Sequence, residues 1–149
     1  MSLEKTIMTR MKEAMKSKDQ AALRTLRAIK NEILKAKTSE GFSGEVSEDD
    51  EQKILIKMAK QRRDSLAIFN EQGRADLAET EQEELTVITS FLPEQLSEED
   101  IRAKVKEIVA ETGASSMKDM GRVMGMASKA MAGAADGKVI SGIVKELLG

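Results

Sequence analysis

Residues 91–109, FLPEQLSEEDIRAKVKEIV, hold the chain's only proline, Pro93, followed closely by Ser97, Glu98, Glu99 and Asp100. Proline lacks a backbone donor and biases the residue before it away from helix, so a helix arriving at Pro93 ends there. Ser97 with Asp100 three residues later has the spacing of a capping box, with Asp in the last position, and opens a new helix. Ile101, Val105, Ile108 and Val109 then recur at helical spacing. This punctuation predicts an N-terminal helical domain over 1–93 and a C-terminal one over 94–149.

Outward from Ser97 toward the C-terminus, the helix just opened should stop at Gly113. Met120, Val123, Met124, Ala127 and Met131 mark a sixth helix, and Ile140, Ile143, Val144 and Leu147 a seventh, together a small three-helix bundle. Toward the N-terminus, Leu3, Ile7, Met11 and Ala14 line a helix capped by Ser2, and Asp19 starts a second carrying Leu23, Leu26, Ile29 and Ile33 to about Lys37. SEGFSGEV, residues 39–46, reads as a glycine-containing loop. Ser47 then caps a long helix whose first turn, Glu48, Asp49 and Asp50, sets acids at the positive end of the dipole. It passes Ile54, Met58, Ser65 and Phe69 to a stop at Gly73. Asp76 is expected to cap a fourth helix with core residues Leu77, Leu85, Ile88 and Phe91. The expectation is an all-α protein, about four helices followed by three.

Composition removes much chemistry. The 149 residues include no His, Cys, Trp or Tyr, so a thiolate nucleophile, an imidazole base and a nitrogen–sulfur zinc site are all unavailable. Phe42, Phe69 and Phe91 are the only aromatics, too few for a base-stacking RNA platform. No Walker-type loop, GxSxG elbow or EF-hand loop occurs. No catalytic residue, cofactor or metal is expected. The longest apolar run is Leu66 to Phe69, with Ile54 to Ile56 among the next longest, far short of a bilayer span. The opening MSLEKTIMTR has no apolar stretch and carries Glu4, so a cytoplasmic address and no membrane partner are expected.

Charge is unevenly distributed. Residues 1–37 carry ten Lys+Arg against four Asp+Glu, whereas 38–92 carry six against thirteen. The basic half can pair with the acidic half, or Arg24, Arg27 and Lys35 can serve an anionic partner. Arg62 points toward the apolar side of its helix and needs a carboxylate, for which Glu81, Glu84 and Asp76 are candidates. The other acidic positions of 48–51 and 81–84 are expected on solvated faces, and the ten Met mostly in packing.

In the sixth helix, about 100° per residue puts Lys118, Arg122 and Lys129 on one side, opposite Met120, Val123, Ala127 and Met131, with Gly121 and Gly125 beside the cations. A glycine inside a helix costs about 1 kcal/mol relative to Ala, so two on one face imply that something approaches the backbone. One explanation is a sugar-phosphate backbone met by the cations; the other is a neighbouring helix packed against the glycines. Before the seventh helix, Asp136, Gly137 and Lys138 form a capped N-terminus, where Asp136 either caps or leaves the N–H groups to an anion.

Two stretches, KQRRDSLAIFNEQGRADLAETEQEELTVITSFLPEQLSE (60–98) and GASSMKDMGRVMGMASKAMAGAADGKVISGIVKELL (113–148), together resemble the YqeY family, stand-alone relatives of the tail of the B subunit of aspartyl/glutamyl-tRNA amidotransferase. The first contains Arg62, Asp64, Gly73, Arg74, Asp76 and Pro93; in the second, MGRVMG supplies Gly121, Arg122 and Gly125, and AADGK supplies Asp136, Gly137 and Lys138. Ala134 stands where the family pattern often has Lys. The resemblance implies two small helical domains, with tRNA or a tRNA-processing protein complex as partner, met by Gly121, Arg122, Gly125, Gly137 and Lys138, to which the helical spacing adds Lys118 and Lys129. It also implies a link to carbon–nitrogen ligases that use glutamine as amide donor, although the catalytic cradle of that subunit has no counterpart in 149 residues.

Overall fold

The computed structural model describes residues 2–39 and 46–149, and the described residues form seven α-helices and one 3₁₀ turn, with no strand. The chain divides into two compact units, Met1–Leu92 and Pro93–Gly149.

The first unit contains α1 (Leu3–Ser17), α2 (Gln20–Lys37), α3 (Glu48–Glu71) and α4 (Ala75–Thr89). Three starts are set by side-chain caps: Ser2 accepts from the Lys5 amide at 3.3 Å, Asp19 from Ala22 at 3.0 Å and Ser47 from Asp50 at 3.1 Å. Each satisfies a donor the helix leaves unpaired, worth about 1 kcal/mol. At the end of α3, Gly73 adopts φ +69, the left-handed conformation glycine takes at no steric cost. Ile7, Leu26, Ile29, Ile33, Leu55, Met58, Ala59 and Ile88 close one core, each large side chain contributing roughly 1.5–3 kcal/mol of burial.

Several sequence expectations shift here. Asp76 is not the cap of α4: Arg74 occupies that position without a side-chain cap bond, and the Asp76 carboxylate instead receives the Arg74 guanidinium at 3.2 and 3.1 Å. That bond holds Asp76 below the usual carboxylate range. In α3 the burial falls on Leu55, Met58 and Ala59, while Ile54 and Phe69 are only half-buried. Methionine is less uniformly internal than expected. Met58 and Met131 are buried, but Met8, Met15, Met117 and Met126 are exposed. Of the loop at 39–46, residues 40–45 lie outside the described residues.

The second unit contains α5 (Glu98–Thr112), a 3₁₀ turn (Met117–Asp119), α6 (Met120–Ala130) and α7 (Gly137–Leu148). Ser97 caps α5 by accepting from the Asp100 amide at 3.1 Å, and Gly113 ends it at φ 69. Ile101, Val105 and Ile108 of α5 pack with Val123 and Ala127 of α6, Met131, and Ile140, Ile143, Val144 and Leu148 of α7. The segment after Pro93 is tied to the α6–α7 connection: the Leu96 amide donates to the Ala134 carbonyl at 2.8 Å, and the Gln95 side chain to the Gly133 carbonyl at 2.7 Å. Arg102 joins α5 to α7 through Glu146 at 2.8 Å.

Candidate nucleic-acid interface

The amphipathic pattern of α6 decides which side faces out. Val123 and Ala127 are fully buried in the core of the second unit, which turns the opposite side, Gly121, Arg122, Gly125 and Lys129, to solvent. A Cβ built on Gly121 or Gly125 would meet nothing within 4 Å beyond its chain neighbours and the backbone of its own helix. Neither glycine therefore accommodates a neighbouring helix of its own unit, and the packing explanation for the pair fails there. The helix carries two glycines, at a conformational cost of about 1 kcal/mol for each interior one, without an internal contact that uses them.

The stripe is less regular than a continuous helix would make it. Lys118 is exposed but sits in the 3₁₀ turn that precedes α6, so its direction is not set by the α6 period. The turn exists because Ser116 accepts from the Lys118 amide at 3.4 Å, while the Asp119 carboxylate accepts from the Ser115 amide at 3.1 Å. The same carboxylate pairs with Arg122 at 3.3 Å, and Arg122 also donates to the Thr112 carbonyl at 3.3 Å. A cation on the last carbonyl of α5 satisfies an orphan acceptor and complements the negative end of that dipole. Arg122 is thus a latch between α5 and α6, although its side chain stays more than half exposed.

At α7, Asp136 accepts from the Lys138 amide at 3.1 Å. The carboxylate itself occupies the position an anion would take, so Gly137 and Lys138, both exposed, do not form an open anion cradle at that helix start. Lys118 and Lys138 come from different elements than the α6 cations Arg122 and Lys129.

In the first unit, the inward Arg62 finds Glu84 at 3.5 Å, with both side chains mostly shielded from solvent. Arg24 reaches Glu83 at 3.3 Å and Glu84 at 3.9 Å, so this cation is used inside the fold. Lys35 pairs with Glu32 along α2 at 3.0 Å. Burial raises Glu81 above the ordinary glutamate range, the Glu84 charge adds to it, and Arg62 and Arg24 oppose it. The acids of 81–84 are therefore not a uniformly solvated run: Glu81 and Glu84 face the cations of α2 and α3. Asp64 is paired with Lys60 at 2.9 Å, one turn away. Arg62, Asp64, Arg74 and Asp76 all make ion pairs within the unit.

What the sequence did not single out on the second unit is an apolar fringe. Met117, Met126 and Val139 are exposed. Met126 lies only about 40° from Arg122 on the α6 wheel, an angle computable from the sequence alone.

A model of the family described as Yqey-like protein matches residues 4–148. Similar curated proteins include Altered inheritance of mitochondria protein 41, mitochondrial, of Clavispora lusitaniae, 36% identical over 108 residues, which are 70% of this chain and 61% of that protein. The protein of the same name in Pyrenophora tritici-repentis is 31% identical over 143 residues, 93% of this chain and 77% of the relative. The chain thus spans about three-fifths of the length of the first relative. Both relatives are named as mitochondrial, which overturns the cytoplasmic address expected from the opening residues; the first ten side chains carry too little signal to fix a compartment. With the family model covering nearly the whole sequence, the chain belongs to the YqeY family.

Proposed function

We propose that this protein is a non-catalytic helical adaptor that binds tRNA through the outer face of α6, in the manner suggested by its likeness to the tail of the tRNA-dependent amidotransferase B subunit. The observation that carries this reading is the open glycine pair flanked by exposed cations: Gly121 and Gly125 beside Arg122 and Lys129. A helix face centred on two glycines can approach the wide, shallow minor groove of an A-form stem, and lysines at its margins then reach phosphates. Lys118 and Lys129 supply the mobile contacts, with Lys138 from α7 at the margin, whereas Arg122 is partly committed to Thr112 and Asp119. The two units act as separately folded domains, 1–93 and 94–149, the second carrying the interface.

The test is a titration of unmodified tRNA across salt concentrations. Log affinity against log salt should have a negative slope that shrinks by about 0.7–0.9 for each phosphate contact removed, as in Lys118→Ala and Lys129→Ala. No binding at low salt refutes the reading. A second reading, a protein-interaction module without RNA, is favoured by the exposed Met117, Met126 and Val139. It predicts that Gly125→Leu abolishes a protein complex while tRNA changes nothing. A component of a glutamine-dependent carbon–nitrogen ligase is a third, resting on family likeness alone.

A further inference from the structure

The outer face of α1 combines two features that the tRNA reading does not use. Met8 is 51% and Met15 55% exposed, the most solvent-open large apolar side chains of the described residues together with Ile68. They lie seven residues apart, and the helical period sets them on one line; Lys5, Lys12 and Lys16, all exposed, fall beside them within roughly a 100° arc. The core side, carrying Ile7 and Ala14, lies about 100° round the helix from the methionines and farther from the lysines.

These lysines differ from the cations of the unit that are held in ion pairs. Arg24, Lys35, Lys37, Lys60 and Arg62 are taken up by Glu83, Glu32, Glu4, Asp64 and Glu84. Among the described residues no ion pair engages Lys5, Lys12 or Lys16. What sets α1 apart is therefore the combination on one face: a ridge of three lysines that make no ion pair beside two exposed thioether side chains.

We infer that this ridge docks on an anionic lipid surface, with Lys5, Lys12 and Lys16 at the phosphate layer and Met8 and Met15 entering the acyl boundary. Charge complementarity requires an anionic occupant and disfavours a second copy, whose own lysines would face these. A nucleic-acid backbone would satisfy the lysines but offer the methionines nothing apolar. A lipid interface accepts both, because lysine stems lie along apolar surface while their heads stay at the phosphates. Such a helix lies in the interface and needs no spanning segment; no helix among the described residues is long and apolar enough to cross a membrane.

The full chain is tested by sedimentation with vesicles of phosphatidylcholine alone and of phosphatidylcholine containing about one-third phosphatidylserine. Binding is expected to the second vesicle only. Lys5→Gln, Lys12→Gln and Lys16→Gln combined should weaken it on the order of a hundredfold, since each basic residue near such a surface is worth about fivefold. Met8→Gln with Met15→Gln should weaken it roughly tenfold and make the remainder fully salt-labile. Because the chain has no Trp, Met15→Trp gives a single reporter, whose emission should shift to the blue on the anionic vesicles. Absence of binding, no blue shift, or a methionine variant equal to the parent overturns the inference. Equal binding by the methionine variant would assign the ridge to a nucleic acid or an acidic protein instead.

Discussion

Replacing Gly121 and Gly125 by Ala separates the two explanations for the glycine pair without any ligand. Neither residue has a positive φ, and the added methyl group at each would stand more than 4 Å from any neighbour outside its own helix. The substitution therefore introduces no clash and removes backbone freedom from the unfolded chain. An interior glycine costs about 1 kcal/mol relative to Ala, and one in the first turn somewhat less. Gly125 is interior to α6 and Gly121 is its second residue, so the double variant should be stabilised by about 1–2 kcal/mol. If the second unit unfolds on its own, the midpoint should rise on the order of 5–10 °C, as expected for a domain this small. Far-UV circular dichroism through a thermal and a urea transition measures it. In parallel, tRNA affinity should fall, because two methyl groups stand where a backbone is to approach. A loss of stability would show that the face is packed against protein in the native state and would refute the description of it as open.

The Arg62–Glu84 pair at 3.5 Å gives a second expectation: Arg62→Ala leaves a shielded carboxylate without its nearest cation and should cost about 1–3 kcal/mol in urea denaturation. Glu81 supplies a pH signature. Its raised pKa means that its favourable contribution is complete below the unfolded value near 4.3 and is lost as pH rises through the folded value. Glu81→Gln should therefore be more stable than the parent at neutral pH, with the difference vanishing as pH falls toward about 4, checked by melting temperature across that window. Asp119→Ala removes the carboxylate that holds both the Ser115 amide and Arg122. It should destabilise the second unit by about 1–2 kcal/mol, and a smaller salt slope for tRNA should accompany it if the turn positions Lys118.

Helix starts were the most legible feature because they are written locally. Ser2, Asp19, Ser47 and Ser97 each bond the backbone amide expected of a cap, and glycines 73 and 113 take the left-handed conformation their positions require. Asp76 failed the same rule because a nearer partner, Arg74, captures its carboxylate; competition between side chains is not visible in spacing. Lys118 was misplaced on the α6 wheel because Ser116 and Asp119 tighten the chain into a 3₁₀ turn, a two-residue detail that periodicity averages over. The choice of Glu84 over Asp76 for Arg62 is a tertiary fact, settled by how α3 and α4 face each other. The exposed methionines were misread by type: Met8 and Met15 are about 100° from the core direction of α1, and the angle was a better guide than hydrophobicity.

The most direct measurement is amide chemical-shift mapping of the labelled protein as unmodified tRNA is added at low salt. The account predicts shifts concentrated on Gly121, Gly125, Met126 and Lys129, with Lys118 following and the core amides of α5 unmoved. Saturating tRNA with no shift on α6, or shifts confined to the first unit, would contradict it.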